Sequence, residues 1–141
     1  MSCIALEKSA KRILIIDDDP AVSDAISKLL GHYGYKVTVA PTLREGREQC
    51  KIDHDLIVLD VMLPDGSGLE LFKQLKKSGT KSKVFILTGN TKPSVDREIN
   101  NLGPAQLFRK PFNFLEILQS IRHQFPEQEN RAEESERFNI L

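Results

Sequence analysis

Short apolar runs alternate along this chain with stretches in which apolar residues recur every three or four positions. Four runs and a weaker fifth occur at 13–16, 37–40, 56–59, 84–87 and 105–108. Helical periodicity lies between them, as in Val22, Ile26, Leu29 and Tyr33 and in Val95, Ile99 and Leu102. This alternation predicts βαβ units, which build a parallel sheet with helices on both faces.

The composition of each run indicates its place in the sheet. Runs 13–16, 56–59 and 84–87 are apolar at every position, as is typical of central strands covered on both faces. Segments 36–40 and 105–109 also carry polar residues and are predicted to form the edges. With right-handed crossovers, this favours a doubly wound, flavodoxin-like α/β fold of strand order 2-1-3-4-5, with a ligand crevice at the carboxyl ends of strands 1 and 3.

Capping residues mark the starts of the helices. Asp19 precedes Pro20 at an N-cap position, and three pairs have N-cap to N3 spacing, namely Thr42/Glu45, Ser67/Glu70 and Asn113/Glu116. The last helix, 113–125, carries apolar residues along one side, and we expect it to end at Pro126.

The length and charge of the chain limit how many domains it can form and which partners it favours. A chain of 141 residues suffices for one domain, which we expect over 11–125, with an N-terminal tail over 1–10 and a charged tail over 126–141. Basic and acidic residues are equal at 20 each, which does not favour nucleic acid or an anionic membrane as a partner. No apolar run approaches the roughly 18 residues of a membrane span and no secretory pattern opens the chain, so a cytoplasmic location is predicted.

The cysteines and histidines follow no pattern typical of redox or metal chemistry. Cys3 and Cys50 form no Cys-x-x-Cys pair, and we expect both to be reduced and inert. His32, His54 and His123 lack metal-ligand spacing and are expected at the surface or at an edge. The absence of a Gly-x-Gly-x-x-Gly or Walker A motif disfavours nucleotide binding.

Polar residues gather where the predicted strands end. They are Asp17, Asp18 and Asp19 after the first strand, Asp60 at the end of the third, Thr88 at the end of the fourth and Lys110 after the fifth. Because the carboxyl ends of parallel strands share one edge of the sheet, these residues should converge in one pocket. Crowded carboxylates require a cation, and an oxygen-rich site with room for water suits Mg²⁺. Lys110 adds a compact positive charge.

Four motifs, in this order and spacing, resemble the receiver domains of bacterial response regulators, the group that includes the chemotaxis protein CheY. They are ILIIDDDP at 13–20, LIVLDVMLPDG at 56–66, ILTG at 86–89 and KPF at 110–112. The resemblance covers roughly residues 11–125. It implies a phosphoacceptor regulator of a two-component phosphorelay, which catalyses only its own phosphorylation and slow dephosphorylation.

The resemblance also implies a role for each site residue. Asp60 would be the nucleophile that takes a phosphoryl group from a phosphohistidine on a histidine kinase or phosphotransfer protein. Mg²⁺ would be held by Asp60, by Asp18 directly, by Asp17 partly through water, and by the main-chain carbonyl of Met62. Thr88 and Lys110 would bind the phosphoryl oxygens, with a cis bond before Pro111. The added charge of about −1.5 to −2 would alter the loops after strands 4 and 5.

The chain departs from the family pattern at one switch position. Many receivers have Tyr or Phe three residues before the lysine, where this chain has Leu107. Either Leu107 moves between two packings, or the adjacent Phe108 points outward. Gly89 should leave the mouth of the pocket open, and Met62 and Asn90 flank the site where family members tune hydrolysis.

Output is predicted to run through protein contacts. The roughly 15 residues after Pro126 are too few for a DNA-binding domain, so either an unknown protein target is engaged in trans or the chain is a fragment. The face formed by 92–102, 105–109 and 113–125 is the predicted surface for a partner or a homodimer.

Other interpretations of the same residues stay open. A Mg²⁺-dependent phosphohydrolase would use the same nucleophile but favours a second acid where Met62 stands. An unphosphorylated scaffold is disfavoured because the acidic, threonine and lysine set is intact. Asp19 is assigned to a helix cap, and Asp65 and Gly66 to a turn.

Overall fold

Five parallel strands and five helices alternate in a computed structural model that describes residues 10–89, 92–103 and 105–126. The elements in chain order are β1 (Arg12–Ile16), α1 (Pro20–His32), β2 (Lys36–Ala40), α2 (Leu43–Gln49), β3 (Leu56–Asp60), β4 (Met62–Leu63), β5 (Gly66–Ser67), α3 (Gly68–Lys77), β6 (Lys83–Thr88), α4 (Pro93–Leu102), β7 (Gln106–Arg109) and α5 (Phe114–Gln124). No helix in these ranges has the length and apolar character that a membrane crossing requires. The predicted tails lie outside the described residues except for Ala10 and Pro126.

The main sheet has the order β2-β1-β3-β6-β7, which is the predicted order 2-1-3-4-5 of its five strands. β2 and β7 form the edges, as their mixed sequences indicated. All pairings in this sheet are parallel, with Ile16 opposite Leu59, Asp60 opposite Leu87 and Thr88 opposite Arg109. The carboxyl ends of the central strands therefore lie together, and the fold class is confirmed.

The two faces of the sheet bury separate cores. Leu14 and Ile16 of β1 pack on the side covered by α2, α3 and α4, whereas Ile13 and Ile15 pack on the side covered by α1 and α5. All four side chains are fully buried because successive residues of a strand point to opposite faces. This explains why the central runs are apolar at every position.

The predicted N-caps are observed at four helix starts. Asp19, Thr42, Ser67 and Asn113 each accept a hydrogen bond from a main-chain N–H of the first turn. These bonds satisfy donors that have no partner inside the helix. The last helix ends at Gln124, two residues before Pro126.

A short antiparallel hairpin between β3 and α3 was not predicted. Met62 pairs with Ser67 and Leu63 with Gly66. Asp65 lies in its turn as expected, but Gly66 already belongs to β5, with a φ of 150° that other residues rarely adopt.

The sequence left open whether the Phe108 side chain points outward, and its packing in the structure answers this question. Phe108 is buried against Phe85, with ring centroids 5.3 Å apart, on the side of α1 and α5. The alternative in which Phe108 points outward is therefore wrong. Leu107 is half-buried against the opposite core.

The prediction for His54 was also wrong, whereas His32 and His123 are exposed as expected. The His54 side chain is only 6% exposed, and its Nε2 lies 3.0 Å from the carbonyl oxygen of Gln49. A carbonyl accepts, so Nε2 carries the proton of the neutral ring. Burial, helped by the charge of Arg12 and opposed by the bond to Gln49, lowers the pKa of His54 below its ordinary 6.5.

We predict that the domain loses stability in mild acid because of His54. As the pH falls below about 6.5, the unfolded chain protonates this ring before the folded protein does, so the folded state loses free energy relative to the unfolded one. Urea unfolding between about pH 7.5 and pH 5.5 should show a steeper loss for wild type than for His54→Gln. The exposed-site control His32→Gln should behave as wild type, and equal slopes for wild type and His54→Gln would contradict the prediction.

Candidate functional site

Three carboxylates meet where β1 and β3 end. Asp17, Asp18 and Asp60 each place an oxygen within 4.8 Å of the others. Asp17 is 1% and Asp60 3% exposed, whereas Asp18 is exposed. The convergence that strand order predicted for these residues is therefore present, and an oxygen-rich cluster with one open side is the result.

Lys110 supplies the positive charge for this cluster. Its Nζ donates to Asp60 Oδ2 at 2.8 Å and lies 3.2 Å from Asp17 Oδ2. Burial opposes the charged form of Lys110, but the adjacent Asp60 and Asp17 outweigh that effect and raise its pKa. Lys110 therefore stays protonated beside the carboxylates.

The main chain brings Lys110 to the site. Its N–H donates to the carbonyl of Thr88 at 2.8 Å, and the Lys110–Pro111 bond is cis, as the resemblance implied. Thr88 ends β6 and is fully buried, next to the strand end that carries Asp60. Gly89 follows as an exposed residue with open space where a side chain would lie, as expected.

Asp60 is held at both carboxylate oxygens. Oδ1 accepts from the N–H of Met62 at 3.0 Å and Oδ2 accepts from Lys110. Burial raises the pKa of Asp60, as does the charge of Asp17, while the two hydrogen bonds oppose the increase. The carboxylate is thus oriented but incompletely compensated in charge, which is the condition that a cation would relieve.

Asp17 has an oxygen that could accept more than it does. Its Oδ1 accepts from the N–H of Asp19 at 2.9 Å, but its buried Oδ2 makes no hydrogen bond within the described part of the chain. Lys110 Nζ forms an ion pair with that oxygen at 3.2 Å. A buried carboxylate oxygen of this kind, beside two further carboxylates, fits a hard divalent cation such as Mg²⁺.

Sequence reasoning missed the contacts of two residues in and near the site. A Cβ at Gly68 would lie 2.0 Å from the carbonyl oxygen of Asp60, so only glycine permits this approach. Gly68 also donates its N–H to Val61 at 2.8 Å. The sequence could have indicated the role of Gly68, because glycine is a poor helix former and yet stands in the first turn of α3. Asp65, assigned only to a turn, also accepts hydrogen bonds from the first turn of α2.

Outside the site, Cys50 is free, and burial raises the pKa of its thiol, consistent with the inert role expected of it. Cys3 and Asn90 lie outside the described residues.

A model of the response regulator receiver domain matches residues 13–122, which is most of the chain. This chain belongs to the response regulator receiver domain family. Members of the family are phosphoacceptor regulators of two-component systems. The family membership predicted from the four motifs is thus confirmed.

Curated relatives of this receiver domain are longer proteins. Response regulator MprA of Mycolicibacterium vanbaalenii is 36% identical over 114 residues, covering 79% of this chain and 48% of that protein. Transcriptional regulatory protein CrdR of Helicobacter pylori is 31% identical over 117 residues, covering 82% of this chain and 55% of that protein. The chain spans about half the length of the curated relatives it matches.

Solved receiver domains share the fold. A CheY-like receiver domain protein from Methanospirillum hungatei is 33% identical with a TM-score of 0.78, covering 87% of this chain and 99% of that one. The BeF3-activated DrrB receiver domain is 26% identical with a TM-score of 0.74, covering 83% of this chain and 98% of that one.

We predict that Gly68→Ala will destabilise the receiver domain by about 2 to 3 kcal/mol, because the new methyl group overlaps the main chain of Asp60. Denaturant unfolding followed by circular dichroism measures the cost. The control is Gly31→Ala in α1, where no atom lies within 4 Å of the new Cβ and a gain of about 0.5 kcal/mol is expected. Equal effects at the two positions would contradict the steric argument.

Proposed function

We propose that this receiver domain is a Mg²⁺-dependent phosphoacceptor switch in which Asp60 takes a phosphoryl group from a phosphohistidine. One observation supports this above all: the buried carboxylate of Asp60 is held between Lys110 Nζ at 2.8 Å and the N–H of Met62 at 3.0 Å. A carboxylate restrained at both oxygens is oriented for in-line attack.

In the proposed transfer, an oxygen of Asp60 forms a bond to phosphorus as the bond from phosphorus to the imidazole nitrogen of the donor breaks. The imidazole leaves with the electron pair and takes a proton from solvent. Lys110 and Thr88 would bind the phosphoryl oxygens. Bound Mg²⁺ would neutralise charge on those oxygens, held by Asp17, Asp18, Asp60 and the main-chain carbonyl of Met62.

The ion pairs of Lys110 support a change of conformation on phosphorylation of Asp60. Lys110 pairs with Asp60 and Asp17 before phosphorylation. A phosphoryl group would add about −1.5 to −2 charge at Asp60 and redirect the ammonium towards it. Because the Lys110 N–H is bonded to Thr88, this movement would act on the loops after β6 and β7. We propose that half-buried Leu107, rather than buried Phe108, is the side chain that repacks.

A cavity beside the acceptor supports a protein as the phosphodonor. It has a volume of about 480 Å³. Its lining is mainly apolar and comprises Asp19, Val22, Lys110, Pro111, Phe112 and Phe114. We propose that a histidine kinase or a histidine phosphotransfer protein docks here. The proposed location of the receiver domain is the cytoplasm.

For output, we propose a protein target or a homodimer on the face formed by 92–102, 105–109 and 113–125. An ion pair between Arg109 and Asp96 joins β7 to α4 on this face. Leu115 of α5, at 58% exposed, offers apolar surface there. Curated relatives named as transcriptional regulators are about twice as long as the part that this chain matches, and the output of the receiver domain itself is proposed to pass through protein contacts.

We predict that acetyl phosphate with Mg²⁺ will add about 80 Da to the wild-type protein, the mass of one phosphoryl group. Asp60→Asn and an EDTA-treated sample should show no adduct in the intact mass. Acetyl phosphate left unconsumed, together with failure of a cognate kinase, would favour the scaffold interpretation. Rapid consumption without an adduct would favour the phosphohydrolase.

We also predict that Mg²⁺ will raise the melting temperature of the domain. A ligand that binds only the folded state raises the free energy of unfolding by ~1.4 kcal/mol when its concentration is about ten times its Kd. Asp18→Asn should remove most of this gain, because it deletes a carboxylate of the cluster. Asp53→Asn changes an exposed acid outside this cluster and should keep the gain. Equal Mg²⁺ stabilisation of both variants would place the ion elsewhere.

A further inference from the structure

The hairpin formed by β4 and β5 lies between Asp60 and the start of α3. Its first strand follows Asp60 by one residue, and its second strand leads directly into α3. Only two residue pairs hold its strands together. A two-stranded hairpin of this size is marginal on its own, so its orientation depends on contacts beyond itself.

Asp65 makes such contacts at the turn of the hairpin. Its Oδ1 accepts from the N–H of Leu43 at 2.7 Å and its Oδ2 from the N–H of Arg44 at 2.9 Å. These N–H groups belong to the first turn of α2, where they have no partner within the helix. The two bonds lower the pKa of Asp65. The side chain is therefore an ionised carboxylate with both oxygens engaged, bridging 22 residues of sequence.

At the opposite end of the hairpin, a main-chain N–H group is hydrogen-bonded to the carboxylate of Asp60. The N–H of Met62, the first residue of β4, donates to Asp60 Oδ1 at 3.0 Å. Leu63 is buried in the core, which fixes the depth of β4. The turn of the hairpin lies away from that anchor, and the two-point attachment of Asp65 to α2 holds it there.

We propose that Asp65 is a positioning residue for the phosphoacceptor: by tying the hairpin turn to the N-terminus of α2, it keeps the N–H of Met62 on the carboxylate of Asp60. The inference rests on the proposed function for its effect on phosphorylation, but its structural part stands on the described contacts alone. Asp65 itself is not one of the carboxylates of the cluster at the strand ends.

A consequence for metal binding follows. Met62 and Asp60 both belong to the set of groups proposed to hold Mg²⁺. Residues that orient metal ligands from outside the ligand set typically change metal affinity by about 10- to 100-fold when they are replaced. Loss of the Asp65 attachment should therefore weaken Mg²⁺ binding without removing a ligand.

The test compares Asp65→Ala, Asp65→Asn and Thr42→Ala in the full chain. Thr42 caps the same helix through the N–H of Glu45 at 3.1 Å but does not belong to the hairpin, so Thr42→Ala controls for loss of helix stability. Asp65→Asn keeps one oxygen acceptor and should rescue part of the effect. The first readout is hydrogen exchange of the Met62 amide by NMR without metal or phosphodonor, and the second is the Mg²⁺ concentration for half-maximal phosphorylation by acetyl phosphate.

We expect Asp65→Ala to speed exchange of the Met62 amide by about tenfold and to raise the half-maximal Mg²⁺ concentration by about tenfold. Thr42→Ala should leave both near wild type, and Asp65→Asn should lie between. Equal exchange rates in Asp65→Ala and Thr42→Ala would overturn the inference. If wild type is not phosphorylated at all, the proposed function fails, while the amide measurement still decides whether Asp65 positions the hairpin.

Discussion

The repulsion between carboxylates gathered at one buried edge is the constraint on which this structure depends. Asp17 and Asp60 are nearly inaccessible to water, and burial together with the charge of Asp17 raises the pKa of Asp60. Lys110 reaches both through its Nζ and offsets part of that cost. One lysine cannot neutralise three carboxylates, so the cluster carries a net negative charge that a divalent ion would offset.

The fold meets this constraint by fixing the main chain around each charged group. Central strands buried on both faces hold Asp17 and Asp60 at adjacent ends, and the bond from Lys110 to Thr88 brings the lysine over from the edge strand. Gly68 allows α3 to begin against the carbonyl of Asp60. The main chain around the charged groups is thereby held in place, and the proposed switch would act through the lysine and the surrounding loops.

Much of this was predictable, because periodicity reports burial and parallel strand ends share an edge. Strand order and the convergence of Asp17, Asp18, Asp60 and Lys110 followed from those two rules. The helix caps followed from residue type and spacing at the helix starts. The inward packing of Phe108 and the bridge from Asp65 to α2 did not, since each depends on contacts between segments distant in sequence. Burial of His54 did not follow either, because no periodic pattern covers the loop in which it lies. A short polar segment such as the β4–β5 hairpin carries no periodicity long enough to be recognised.

The central claim is that the phosphoryl group resides on Asp60, and borohydride trapping tests it most directly. Borohydride reduces an aspartyl phosphate to homoserine, which peptide mass spectrometry locates by sequence. After phosphorylation in Mg²⁺, the account predicts homoserine at position 60 and at no other acidic residue. Homoserine at Asp17 or Asp18, or a stable phosphoryl group on another residue type with position 60 unchanged, would contradict it.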